Sequence, residues 1–409
     1  MRPMKNPLTA RRAAALVAPL LLLGSDALAQ GLAVRAGTVH TGTGPAMQGA
    51  TVLVQDGKIT AIGAELDLPE GVRLVEHPGH LSAGMIALRD LAGTQGGASD
   101  STRAMLPAAE LRHAYNPGHH EFEQLLAGGI TSVQIAADPR ALVAGMTAVV
   151  KTHGDSVVHP RSYLAVALGE DAIQTGRYPT SYGAALDELS AQIEAAEGAF
   201  AMVKMRNLPL WMHVEERHEV QRCLDFLAAH ELGGVLHGAE RIGEHAERLS
   251  ELGLGASLPS FKLGGTYHAA RSSVALAEAG VPFGFALDSP GNDASALRLS
   301  AAAAMRAGLG AGRAWGALTS DAAKLCRVEG RVGTLAPGLD ADLVLWSGSP
   351  VDLGSRVMAV YVDGEHAWAL PEDEHEELVE ELEEDAESGQ SSASVESGGE
   401  GSLHQGGRP

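Results

Sequence analysis

Cysteine, aromatic residues and positive charge are all scarce in this chain. Only Cys223 and Cys326 occur in 409 residues. Two distant cysteines exclude a disulfide-built scaffold, and their spacing leaves open whether they pair. Neither lies in a metal-ligand spacing. Aromatic residues make up 4% of the chain, so no aromatic ligand-stacking surface is expected, and the core must close on Ala, Val and Leu. Lys and Arg number 30 against 51 Asp and Glu, a net charge of −21, which argues against nucleic-acid binding. No G-x-S-x-G nucleophile elbow occurs, and residues 145–152 (GMTAVVKT) are too poor in glycine for a phosphate loop. Beyond residue 24 there is no long apolar run, so no membrane span is expected after that point.

Hydrophobic residues make up 45% of the chain, enough to bury a full-sized core with a small second domain. The first 29 residues read as an export signal. Arg2, Lys5, Arg11 and Arg12 precede an apolar run (residues 13–24, AAALVAPLLLLG) and an Ala27-Leu28-Ala29 cleavage site. They predict an exported protein, periplasmic or extracellular. At the other end, residues 371–409 hold 13 acidic residues and one Arg. This stretch has too few apolar residues to fold alone and reads as a disordered, solubilising tail.

Residues 30–80 and 330–370 are β-rich. Asp56-Gly57 and Asp363-Gly364 each lie between apolar runs, a hairpin signature. These two ends predict one composite β domain, a small β-sandwich. Between them, residues 81–329 alternate apolar strands with helices rich in Ala, Leu and Glu. Strands are expected at 129–135, 208–213, 234–237 and 282–288, and a helix at 215–230. Such alternation predicts a parallel α/β sheet. His213, His237 and Asp288 fall at strand C-terminal ends, where a (β/α)8 TIM-like barrel carries its site.

Three motifs carry a resemblance to a known family. They are residues 54–63 (VQDGKITAIG), residues 319–325 (TSDAAKL) and residues 331–346 (RVGTLAPGLDADLVLW). Together they resemble the amidohydrolase superfamily, in particular its imidazolonepropionase-like members, over about residues 32–368. The resemblance implies a metal-dependent hydrolase on a (β/α)8 barrel. In that family the first barrel strand ends in a His-x-His pair of metal ligands; here those positions hold Arg89 and Leu91, and the preceding Asp is Ala87. The remaining metal positions match His213 and His237, and the strand 8 catalytic Asp matches Asp288. The strand 4 ligand has no clear match, and Glu170 lies beyond the expected position.

His213, His237 and Asp288 could supply three ligands to one zinc or other divalent cation. A guanidinium at the mouth opposes a cation there, and an Arg89–Asp288 ion pair is the alternative it suggests. Lys151, Thr152 and His153 read as a solvated loop rather than pocket lining. His119-His120 reads as a helix start, with side chains that diverge. His159, His218, His245 and His268 show no metal spacing. Two functions of different class follow. One is a hydrolase of C–N bonds in small amides, with a degenerate metal site and a small-molecule substrate. The other is a catalytically inactive relative that binds a ligand or partners an active paralogue in a homo- or hetero-oligomer.

Overall fold

In the computed structural model the described residues are 31–371, except 96, 101, 175 and 290. The export signal and the acidic tail lie outside the described residues. Strands from both ends of the chain share one eight-stranded sheet. Its path runs Glu365–Ala369, Val357–Val362, Leu343–Trp346, Arg73–Ala83, Leu32–His40, Thr51–Gln55 and Lys58–Gly63, with Met47–Gln48 paired to Leu32–His40. The composite β domain expected from the two ends is thus one hydrogen-bonded path of strands. Both Asp-Gly pairs turn hairpins, with φ of 48° and 75° at Asp56-Gly57 and 50° and 76° at Asp363-Gly364. Two successive residues at positive φ match the right-handed twist of the strands they join.

Gly84 is the crossing point from this sheet into the middle of the chain. It separates strands Arg73–Ala83 and Met85–Asp90. A Cβ there would lie 2.1 Å from the Thr131 hydroxyl, so the close approach of the two backbones requires glycine.

The middle contains two sheets. Met85–Asp90 pairs in parallel with Ile130–Ile135. Leu164–Ala167, Leu210–Val214, Gly234–Gly238, Gly255–Leu258 and Phe283–Phe285 pair in parallel, in that order. Strands Val143–Met146 and Ala148–Lys151 are separated only by Thr147. The first runs antiparallel to Leu164–Ala167 and the second antiparallel to Ile130–Ile135. This stretch is where the two sheets meet, and it makes an otherwise parallel arrangement mixed, a departure from the expected all-parallel sheet. On the far side, a parallel bridge joins Leu88 to Ala286. Helix Arg217–Ala229 forms where expected and opens on a capping box between Glu216 and Glu219.

Lys151 overturns the solvated-loop reading. Its side chain is fully buried and ends Ala148–Lys151. Its ammonium lies 2.7 Å from both oxygens of Asp342, 3.2 Å from Asp363 and 3.3 Å from Asp340. Asp340 also binds Lys58 at 2.8 Å and Arg331 at 2.7 Å. The DAD triplet of the C-terminal motif therefore clamps the terminal sheet to the middle of the chain. Burial alone would lower the Lys151 pKa; the three carboxylates outweigh it and raise it. Thr152 is also buried and donates to the Ile130 carbonyl.

Cys223 and Cys326 are both free and buried, in separate apolar clusters, and burial pushes both thiols up.

Candidate active site at the strand ends

His213 and His237 sit directly opposite one another on neighbouring parallel strands. Their rings are 5.3 Å apart between centroids. His237 is buried: its Nδ1 lies 3.1 Å from the Ser257 hydroxyl, and its ring stacks on Trp211 at 5.7 Å. Burial, then His213 and Arg89, holds its pKa well below the ordinary value, so the ring is neutral. His213 Nε2 lies 3.2 Å from Glu215, which the histidine holds below the usual carboxylate range. His213 Nδ1 is buried without a hydrogen-bond partner.

Arg89 and Asp288 complete the group. Arg89 is the penultimate residue of the first middle strand and Asp288 follows the last, and the chain holds both residues in the left-handed region, at φ of 41° and 56°. Neither is glycine, so each conformation costs ~1–3 kcal/mol and persists only because its surroundings over-determine it. The neighbouring backbones are linked, with Leu287 N–H donating to Leu88 O at 3.0 Å and Asp288 N–H to Arg89 O at 3.3 Å. The Arg89 guanidinium donates to Asp288 Oδ1 at 2.7 Å and reaches Asp138 at 3.4 Å. Side-chain exposure is 13% for Arg89 and 24% for Asp288, so the pair is largely shielded from water.

Asp288 Oδ1, the oxygen nearest His237, is bound to Arg89; His237 Nε2 lies 3.9 Å from it. Among the described residues, no group of three or more His, Cys, Asp or Glu side chains could hold a metal ion. The expected ligand set of His213, His237 and Asp288 is thus brought to one place but not into a coordinating arrangement, with the Arg89 guanidinium on the Asp288 oxygen nearest His237. The residues present do not fit the family's metal centre.

Leu91 packs against the main core. Between Arg89 and Leu91, Asp90 is buried. It accepts hydrogen bonds from the backbone N–H of Leu91 and Ala92 and from Ser289, and burial raises its pKa. Glu170 is exposed in a 3-10 turn, remote from a ligand role. His119 and His120 do begin a helix, Glu121–Ala127, but their rings lie 4.5 Å apart rather than diverging.

Between Arg89, Asp138, Trp211, His213 and His237 the cavity measures only about 10 Å3. That is room for about one water molecule (~10–15 Å3). A larger opening, about 1030 Å3, is lined by Ala92, Phe261, Lys262, Leu263, Ser289 and Asn292 among others.

No sequence motif marks Asp138, Gln134, Ser257 or Trp211, which adjoin the group. Gln134 Oε1 lies 3.3 Å from the Arg89 backbone N–H. Its signal was present: Ser132 and Gln134 alternate with apolar residues in a strand that is buried throughout. Asp138 lies in a loop after that strand, and nothing in the local pattern singles it out.

A sequence model of the amidohydrolase family matches residues 114–367. No curated protein matches the chain. Among solved structures, an amidohydrolase from Thermotoga maritima MSB8 is similar at 22% identity and a TM-score of 0.76, covering 83% of this chain and 100% of that one. A putative prolidase from Bifidobacterium longum is similar at 16% identity and a TM-score of 0.58, covering 87% and 99%. N-isopropylammelide isopropylaminohydrolase from Burkholderia multivorans ATCC 17616 is similar at 18% identity and a TM-score of 0.53, covering 82% and 98%. At these identities the likeness is one of fold.

Proposed function

This chain belongs to the amidohydrolase family, and from that premise we propose that it is a member whose metal-dependent hydrolytic centre has been replaced by an ion pair. Members of the family usually bind divalent metals and act on small molecules. Here the 2.7 Å contact between Arg89 and Asp288 is the observation that carries the reading. It neutralises the carboxylate that would serve a metal-bound water, and it adds a positive charge where a metal would lie. A divalent cation within ~4 Å of that guanidinium would be opposed by ~8 kcal/mol at an effective dielectric of ~20. The site is then a non-catalytic one, suited to a small ligand or to pairing with an active relative.

The strand pairings, with the Leu88–Ala286 bridge, support a (β/α)8-type barrel in which Val143–Met146 and Ala148–Lys151 together supply one reversed strand. The N-terminal sequence supports export to the periplasm or beyond.

A second reading rests on His237 lying 3.9 Å from Asp288 Oδ1. If Arg89 releases Asp288, then His213, His237 and Asp288 could hold one zinc and cleave C–N bonds in small amides.

Elemental analysis of the purified protein separates the two, with Asp288→Asn measured beside it. No stoichiometric metal, and thermal stability unchanged by chelator, is the expected result. Stoichiometric zinc that is lost in Asp288→Asn would overturn the first reading and establish the second.

A further inference from the structure

Two histidines meet in the terminal sheet, which is a different sheet from those that carry the strand-end group. His40 closes strand Leu32–His40, and His80 lies in the neighbouring parallel strand Arg73–Ala83. His40 Nε2 lies 2.9 Å from His80 Nδ1. The ring planes are within 20° of one another, with centroids 5.1 Å apart. One ring N–H therefore donates to the lone pair of the other ring.

Both rings are half-buried, so solvent still reaches them. Burial lowers both pKa values, and for His40 the neighbouring His80 lowers it further, so both imidazoles are neutral near pH 7. Metal ligation requires that neutral form. His77, in the same strand as His80, is already engaged, with its Nε2 2.8 Å from the Trp346 carbonyl oxygen. The pair thus offers two nitrogen donors and not three, in keeping with the lack of a three-residue metal group among the described residues.

The spacing discriminates between ions. An imidazole nitrogen binds a first-row divalent ion at ~2.0–2.1 Å. Two such donors at a right angle on the ion are ~2.8–3.0 Å apart, whereas a tetrahedral ion sets them ~3.3–3.4 Å apart. The 2.9 Å between His40 and His80 matches the right angle. That is the geometry of square-planar and tetragonal nitrogen and oxygen sites, which suit Cu(II) and Ni(II), and Cu(II) binds the more tightly of the two.

We propose that His40 and His80 chelate one tetragonal divalent ion, Cu(II) above all, with water in its remaining positions. Binding displaces the hydrogen bond between the rings and turns both lone pairs to one point. The ion then ties Leu32–His40 to Arg73–Ala83 and stabilises the folded chain. This rests on the ring pair, not on the reading of the strand-end site.

Two imidazoles hold a metal far more weakly than a closed four-ligand site, so dialysis empties the pair and the test supplies Cu(II) alone. The dialysed full chain is expected to take up one Cu(II) per chain. Pulsed EPR should show the ion coupled to two imidazole rings. His40→Gln and His80→Gln should each bind ~100-fold or more weakly, because the second imidazole no longer adds an intramolecular contact. Added Cu(II) should raise the thermal midpoint of the unaltered protein and of His213→Gln, but not of those two variants. Circular dichroism checks folding, and variants on two strands keep the test decisive if one fails to fold. No saturable uptake, or uptake unchanged in both His40→Gln and His80→Gln, would overturn the proposal. Uptake kept in His40→Gln and lost in His213→Gln would overturn it in favour of the strand-end group.

Discussion

Removing the Asp288 carboxylate is the sharpest perturbation of the site. Asp288→Asn keeps the shape of the side chain and deletes its charge. The Arg89–Asp288 contact at 2.7 Å corresponds to ~6 kcal/mol of Coulomb attraction at an effective dielectric of ~20. Desolvation of both groups cancels much of that gain, so the pair's net worth is far smaller. The cost of the substitution is larger than that net worth, because it strands a guanidinium that is only 13% exposed. Breaking a buried pair from one side costs ~3–5 kcal/mol. Arg89 retains Asp138 at 3.4 Å, which lowers the expected loss to about 2 kcal/mol. Urea denaturation with an unchanged m-value reads this loss as a lower midpoint. The Arg89→Met variant and the double variant complete a thermodynamic cycle. The double variant is expected to be more stable than the sum of the single losses, since it leaves no stranded charge. A coupling below ~0.5 kcal/mol, the level at which independent sites add, would refute the pairing and with it the account of why the metal set does not assemble.

Lys151→Met should be the more damaging substitution. It leaves Asp340, Asp342 and Asp363 facing one another without their shared cation, with a loss of ~3–5 kcal/mol by denaturation; Asp342→Asn in the same chain should recover part of it. Acidification should destabilise the fold below pH ~6.5, the ordinary histidine value, through His40, His77 and His237. Their folded pKa values are lowered, chiefly by burial. In that window the unfolded chain therefore binds more protons than the folded one, and stability rises with pH. Thermal midpoints between pH 5 and pH 7.5 check this, and a flat profile would contradict it. Cys223 and Cys326 should resist a thiol reagent in the native protein and both react after denaturation, because both are fully buried and unpaired. Labelling of only one cysteine, or of none, in denaturant would contradict that state.

Much of the fold was legible because its signals are local. Alternating apolar residues and Asp-Gly turns marked the terminal strands, and apolar runs marked Ile130–Ile135, Leu210–Val214 and Gly234–Gly238. Arg89 was singled out by motif spacing, which assigns residues one by one. Even the Arg89–Asp288 contact followed from placing opposite charges at the ends of strands that adjoin in such a fold, and the structure contains it. The reversed direction of Val143–Met146 and Ala148–Lys151 had no local signature, because a buried apolar strand reads the same in either direction. Lys151 at a strand end resembled a solvated lysine, because the carboxylates that permit its burial arrive from residues 340–363. Asp138 likewise joins Arg89 only through a loop. Local periodicity and motif spacing thus set which strands form and which residues stand at their tips. Which charges meet was decided by the tertiary structure, because the energy of a buried charge depends on partners that are distant in the chain and within a few ångströms in space.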